Sequence, residues 1–248
     1  MSDERTRVVE MRAITISRQY GSGGGEVAAR LAERLGWQLI DHHIVAEVAV
    51  AMGITEEEAK ARDERVERIV THVLSAMGHA AAEAAVAVPS TSVIADDAYY
   101  EAVRNAVEMA VNVGRVVIVG RGGQVLLADR RDVLHVRVVA PLQQRLAYVM
   151  RREGLNEEQA RDRLQMKDRD RMRYLQVQHH RNPDDPLSYD LVVNTGVLDL
   201  DALVDLIRLA LVRKGRRLGA PEWQLGPGMG PYRGHPGDLR SKAMKDGQ

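Results

Sequence analysis

Short β-branched or apolar runs alternate with amphipathic helical patterns along most of the chain. The strand-like runs lie at residues 13–16, 37–40, 116–119, 133–139 and 189–194. The run at 116–119 is continuously β-branched, which is typical of a strand buried on both faces of a parallel sheet. Strands that alternate with helices predict an α/β fold in which a parallel sheet carries helices on both faces.

Helical patterns connect these runs. The first begins near Glu26, which can pair with Arg30 one turn later, while an apolar stripe marks the buried side. Other helical patterns lie at residues 55–78, 96–113, 156–173 and 199–212. The helices between 55 and 113 stand between two strands, and they are compatible either with a lid or substrate-binding insertion or with plain helical packing.

A glycine-rich turn, residues 21–25, joins the first strand to the first helix. Free N–H groups and the positive end of the helix dipole make such a turn a cradle for phosphate. Glycine turns also serve tight packing, so the turn alone leaves both interpretations open. The turn lacks the Lys and the Ser/Thr of the usual P-loop motif.

Two further candidate residues follow strands. Asp41 comes after the second strand, where it can cap a helix near His42 or face a ligand at the sheet edge. Arg121 lies in the glycine turn 120–123 after the third strand, which puts a cation where a phosphate can bind. The carboxyl ends of parallel strands meet at one edge, so these turns are expected to open together.

The segment 156–186 combines a densely charged helical pattern with a loop. Charges of alternating sign at 167–173 indicate either a solvated helix face or a mobile arginine lid over polyphosphate. Beyond residue 212 the composition becomes basic and is broken by Gly and Pro, which predicts a disordered tail at 213–248. That tail is expected to aid solubility, with contact to nucleic acid or anionic lipid as the alternative.

Composition narrows the class of protein. The chain of 248 residues has no Cys, so it has neither disulfides nor thiolate metal ligands. Its formal net charge is zero, which gives no electrostatic reason to expect nucleic acid or membrane as a partner. The charged segment 1–10 and the lack of a long apolar window predict a cytoplasmic protein without membrane contact.

In this order, the features resemble the cytidylate kinase-like family of P-loop nucleoside monophosphate kinases over residues 12–211. The motifs that carry the resemblance lie at 16–24, 41, 119–122, 167–173 and 189–195. The resemblance implies a three-layer P-loop NTPase fold over 11–212, with an inserted helical acceptor-binding region at 55–113 and an arginine-rich lid at 156–186. Residues 1–10 are then an N-terminal extension.

The resemblance also implies roles for individual residues. Donor phosphates are expected to bind the turn formed by Gly21, Ser22, Gly23, Gly24 and Gly25. The acceptor nucleotide is expected to bind four residues, which are Asp41, Arg121, Asp170 and Arg173. Arg169 is expected to face the transferring phosphoryl group. The implied small-molecule partners are ATP with Mg²⁺ and a nucleoside monophosphate.

Three positions depart from the family pattern. Gly24 replaces the P-loop Lys, Glu26 replaces the magnesium-binding Thr, and Gly122 replaces the Asp that follows the acceptor arginine. Phosphoryl transfer depends on positioning and charge stabilisation, so a cation must come from elsewhere. Arg18 is the candidate substitute, which makes Arg18, Arg169 and Arg173 the candidate catalytic residues, and Glu26 is the candidate metal ligand.

Two classes of function remain open at this point. The first is a kinase that moves the γ-phosphoryl group of ATP to a pyrimidine monophosphate such as CMP or dCMP, or to another small acceptor. The second is a catalytically inactive module that binds a nucleotide or phosphometabolite. The missing Lys favours the module, and the retained arginines of the lid favour the enzyme.

Overall fold

A parallel sheet forms the centre of the protein. The computed structural model describes residues 10–41 and 96–226, and its strands are β1 Ala13–Arg18, β2 Gln38–Ile40, β3 Val116–Val119, β4 Val133–Val139 and β5 Leu191–Asn194. Their spatial order is β2-β3-β1-β4-β5, and every neighbouring pair is parallel. The central strand is therefore β1, and the glycine turn leaves the middle of the sheet edge.

The helices pack on this sheet. Their bounds are α1 Gly24–Leu35, α2 Asp96–Val113, α3 Gly123–Leu126, α4 Leu142–Glu153, α5 Glu157–His179 and α6 Leu200–Gly215. Val103, Val107 and Val111 of α2 share a buried cluster with Val116 and Ile118 of β3. Alternate side chains of a strand point to opposite faces, so the remaining apolar strand residues are available to α1 and α6. The predicted α/β architecture is confirmed.

Two helices are longer than their sequence patterns predict. The charged helix α5 does not stop at residue 173 but runs to His179, and His180 ends it in the left-handed region with φ 51°. At its start, Asn156 and Gln159 form a capping box, with N···O distances of 3.1 and 2.9 Å. The last helix runs to Gly215 rather than to residue 212.

Some predicted segments lie outside the described residues. These are most of the extension 1–10, the helical pattern 55–78 and the tail from residue 227 onward. The described residues up to Gly215 belong to one compact unit, and those from Arg216 onward belong to a second. In the second unit, the described part includes a 3-10 turn at Glu222–Gln224. No helix among the described residues is long and apolar enough to cross a membrane.

A histidine is buried in the sheet beside β1. His135 of β4 lies with Nδ1 2.8 Å from Thr15 Oγ1 and Nε2 3.2 Å from the carbonyl oxygen of Leu127. A carbonyl only accepts, so Nε2 donates to it and Nδ1 accepts from the Thr15 hydroxyl. Burial lowers the pKa of His135 from 6.5 to about 4, with a smaller contribution from Lys214 and an opposing one from Asp190.

We expect this histidine to make the fold sensitive to acid. Because its pKa is lowered on folding, the unfolded chain binds more protons between pH 6.5 and about 4, and stability falls as pH drops through that window. His135→Gln should therefore reduce proton uptake on unfolding near pH 5 by about one proton. Urea unfolding at a series of pH values gives the free energy of unfolding and its slope against pH. His180→Asn, which changes an exposed histidine, is the control. Equal slopes in His135→Gln and the parent would contradict the prediction.

Candidate functional site

The turn after β1 leaves a helix N-terminus open. Gly21 and Gly23 have φ of 75° and 73°, and no side chain caps α1 at Gly23. A Cβ atom at Gly25 would meet nothing within 4 Å, so the space in front of the first turn is accessible. Backbone N–H groups at such an end suit an anion such as a phosphate.

Ser22 has a structural place in the same turn. Its hydroxyl lies 2.9 Å from the carbonyl oxygen of Gln19 and 3.2 Å from that of Val138, to either of which it can donate. Its own carbonyl accepts from Thr195 Oγ1 at 2.8 Å. The side chain is buried, so Ser22 shapes the turn, while Gly23 and Gly25 leave its outer side open.

Arg18 occupies the space that other side chains would need. A Cβ atom at Gly24 would lie 2.6 Å from the Cβ of Arg18, and one at Gly120 would lie 2.2 Å from its Nη1. The side chain thus runs past the start of α1 toward the turn after β3. Gly24, which stands where the P-loop Lys is expected, is small because Arg18 is there.

Positive charges surround Arg18. Its pKa is lowered from 12.5 to about 9, first by burial and then by repulsion from Arg171 and Arg121, while Asp41 opposes the shift. Guanidinium groups that approach one another away from water are unfavourable unless an anion joins them. The electrostatics at the end of β1 therefore favour a negatively charged ligand.

A cavity of about 670 Å³ opens between the sheet edge and α5. Its cationic lining comes from three strands or their turns and from the helix, namely Arg18, Arg121, Arg137, Lys167 and Arg171. Its carboxylates are Asp168, Asp170 and Asp184. Tyr20, Tyr174 and Met172 add apolar surface. The arrangement can bind an anionic ligand that also carries a flat or apolar part.

The structure separates the predicted lid residues. Arg169, Asp170 and Arg173 are all exposed, and of these only Asp170 lines the cavity. Arg171, which the sequence interpretation did not select, lines the cavity and donates through Nη1 to the carbonyl oxygen of Arg18 at 3.1 Å. Spacing along a helix could have indicated it, because residues 167, 168 and 171 share one face.

Arg137 is a second cavity residue that sequence reasoning missed. Its side chain is buried on β4, where Nη1 donates to Ser17 Oγ at 3.0 Å and Nη2 to Asp184 at 2.5 Å. The available signal was an arginine inside the run 133–139, which is apolar apart from Arg137 and His135. A charge inside a buried strand needs a partner, which is often a functional one.

Local contacts explain why residues 26 and 122 differ from the Thr and the Asp that the resemblance implies. Glu26 pairs with Arg30 at 2.7 Å, as the i,i+4 spacing predicts, and accepts from the Tyr148 hydroxyl at 3.3 Å. A Cβ atom at Gly122 would lie 2.2 Å from His179 Nε2, so α5 fills the place of an Asp side chain. Burial, with a contribution from Arg104, lowers the pKa of His179 to about 4.

The residues fit nucleotide phosphates better than they fit an all-protein metal site. The open end of α1 and the nearby arginines suit phosphate oxygens. Within the described residues, no group of three or more His, Cys, Asp or Glu side chains could hold a metal ion. Mg²⁺ commonly binds through substrate phosphates, water and one or two carboxylates, so such a cluster is not required for it.

Comparison with known proteins identifies the family. The model of the cytidylate kinase-like family matches residues 13–197, which include β1, the glycine turn, the cavity and β5. The chain belongs to the cytidylate kinase-like family. Its central sheet, glycine turn and helices are accordingly those of a P-loop kinase fold.

Of two similar solved structures, the first supports the fold, and neither identifies a substrate. An uncharacterised protein from Eubacterium ventriosum superposes with a TM-score of 0.60 at 22% identity, covering 81% of this chain and 98% of that one. A shikimate kinase from Bacteroides thetaiotaomicron gives a TM-score of 0.44 at 12% identity, over 81% of this chain and 98% of that one.

A curated relative matches over a short segment. The uronate isomerase of Corynebacterium glutamicum is 35% identical over 98 residues, which are 40% of this cytidylate kinase-like chain and 19% of that enzyme. The chain therefore spans about a fifth of the length of this curated relative. A match this short carries no isomerase activity to the chain.

Proposed function

We propose that this cytidylate kinase-like protein transfers the γ-phosphoryl group of ATP to a pyrimidine nucleoside monophosphate, such as CMP or dCMP. The observation that carries the proposal is that Arg18, Arg121 and Arg171 line one cavity, and that the Arg18 side chain also lies against Gly24 at the open N-terminus of α1. The open N-terminus of α1 suits the phosphates of a donor, and the arginines of the cavity suit an anionic acceptor. A transferring phosphoryl group between them would lie among the three cations.

Each part has a distinct task under this proposal. The backbone N–H groups at the start of α1 bind donor phosphates, and Arg121 binds the acceptor phosphate. Arg18 stabilises the charge that the absent lysine would otherwise stabilise. Direct phosphoryl transfer of this kind needs no covalent intermediate with the protein. Asp170 lines the cavity, and under this proposal it contacts the acceptor nucleotide. Mg²⁺ bound with ATP supplies further neutralisation of phosphate charge.

The second candidate is a binding module without transfer. The pairing of Glu26 with Arg30 favours it, because the position of the usual magnesium-binding Thr is then engaged elsewhere. The same cationic cavity would hold a nucleotide or phosphometabolite in either case. The two functions differ in turnover and not in binding.

A transfer assay separates these functions. The purified protein is incubated with labelled ATP and Mg²⁺, and CMP, dCMP, UMP and AMP are offered as acceptors. We expect transfer to a pyrimidine monophosphate, and Arg121→Ala should raise the KM for that acceptor strongly. Nucleotide binding without transfer to any acceptor would favour the module, and the absence of both from folded protein would refute the proposal.

The arginines of α5 provide a paired test. Arg171 lines the cavity beside Arg18, whereas Arg173 is exposed on the same helix and outside the cavity lining. We expect Arg171→Ala to lower kcat/KM by about 100-fold, and Arg173→Ala by less than about threefold. Initial rates under identical conditions measure both. The reverse order would return the catalytic assignment to Arg173.

A further inference from the structure

Side chains from α4 and α5 bind the backbone of residues 18–20. Asp168 Oδ1 accepts from the Tyr20 N–H at 2.7 Å. Arg145 Nη1 donates to the Tyr20 carbonyl at 3.1 Å, and Arg171 Nη1 donates to the Arg18 carbonyl at 3.1 Å. Three polar backbone groups on the approach to the glycine turn are thus held by two neighbouring helices.

The anchoring side chains also support one another. Arg145 forms an ion pair with the second carboxylate oxygen of Asp168, and the Arg145 side chain is buried. The guanidinium group of Arg171 lies 5.2 Å from the ring centre of Tyr20. Partly buried, charge-assisted hydrogen bonds of this kind are stronger than neutral ones at the surface.

A steric contact completes the attachment. A Cβ atom at Gly21 would lie 2.9 Å from the Arg145 carbonyl oxygen and 2.9 Å from Val149 Cγ2. The chain therefore runs directly against α4 immediately before the open helix end. In this structure, α5 supports the backbone that leads into the turn, while its movement as a lid stays a prediction.

We propose that Asp168 is a positioning residue that fixes the backbone N–H of Tyr20 directly and the Tyr20 carbonyl through Arg145, and so preorganises the phosphate-binding turn. Both of its carboxylate oxygens are engaged by the protein, so it acts through Tyr20 and Arg145 rather than as a ligand contact. What the turn binds rests on the proposed function, whereas the fixing of its backbone does not. Without the anchor, a phosphate ligand would have to order the turn as it binds.

The anchor predicts a specific kinetic pattern. Asp168→Asn keeps the size of the side chain and removes the charge that pairs with Arg145. We expect the Kd and the KM for ATP to rise by about tenfold, since charge-assisted hydrogen bonds are at stake. The kcat at saturating ATP should change by less than about threefold, because bound phosphate restores the turn.

Hydrogen exchange tests the anchor without any ligand. In the full chain, peptides that cover residues 18–25 should exchange about tenfold faster in Asp168→Asn than in the parent. Asp162→Asn, an exposed carboxylate on the same helix, is the matched control and should leave both exchange and ATP affinity unchanged. Asp168→Glu retains the carboxylate and should recover part of the protection, and it is also the fallback if the Asn variant does not fold.

The outcomes separate the two proposals. Unchanged exchange in Asp168→Asn would overturn the anchor, whatever the protein binds. Faster exchange with no ATP binding by the parent protein would support the anchor and refute the proposed function. Faster exchange with unaltered ATP affinity would also overturn the inference, because the anchored backbone would then have no part in preorganising the site.

Discussion

Arg18→Met is expected to lower turnover about a thousandfold and, at the same time, to raise the thermal midpoint of unfolding by about 2–4 °C. The loss of turnover follows from the position of the charge. Gly24 provides no cation, and Arg18 lies beside Arg121 and Arg171, where a transferring phosphoryl group would be stabilised. Mobile arginines that stabilise such groups are worth about a thousandfold or more in other phosphotransferases.

The gain in stability follows from the same cluster. Burial and two cationic neighbours all disfavour the charged form of Arg18, as its pKa of about 9 shows, and only Asp41 opposes them. Met retains most of the apolar stem, so the space beside Gly24 and Gly120 stays filled. Removing a charge that its surroundings disfavour should therefore stabilise the fold by about 1 kcal/mol.

The two effects are measured on the same preparations. Initial rates with ATP and CMP give the turnover, and calorimetry without ligand gives the midpoint. Arg34→Met, which removes an exposed cation from the last turn of α1, is the control and should change turnover little. Retained turnover in Arg18→Met would remove Arg18 from the mechanism, and a lower midpoint would show that the attraction to Asp41 outweighs burial and repulsion.

The fold follows from patterns that the sequence displays openly. A run such as Val116–Val119 has no polar position, and Val133–Val139 has five apolar residues out of seven, so both belong in the middle of a parallel sheet. The glycine turn and Arg121 follow such runs directly. Their position at one sheet edge needed only the rule that parallel strands end on the same side.

Side-chain contacts across the site could not be predicted in the same way. Arg18 and Gly24 are close in sequence. Whether the Arg18 side chain leaves no room for a side chain at residue 24 depends, however, on the direction that Arg18 takes after β1. Gly122 and His179 meet only because α5 continues past residue 173. Local charge patterns do not report such contacts, since they arise from packing between elements distant in the chain.

The effects of Gly24→Lys and Arg18→Gly on turnover and stability should depend strongly on each other. Lysine at residue 24 alone would place a Cβ 2.6 Å from the Cβ of Arg18, so the start of α1 has to shift, with a loss of about 2–3 kcal/mol in stability. Arg18→Gly alone removes the cation and should lose turnover about a thousandfold. The double variant frees the space and returns a cation to the usual P-loop position.

We therefore expect the double variant to be at least about tenfold more active than either single variant, and more stable than Gly24→Lys. Recovery will be incomplete, since the new Cβ still lies 3.2 Å from Val138 Cβ. Gly25→Lys is the control in both backgrounds, because a Cβ there meets nothing within 4 Å and its effect should not depend on residue 18. If the losses of turnover in the two single variants simply add in the double variant, Arg18 and a lysine at residue 24 do not replace each other as the cation of the site.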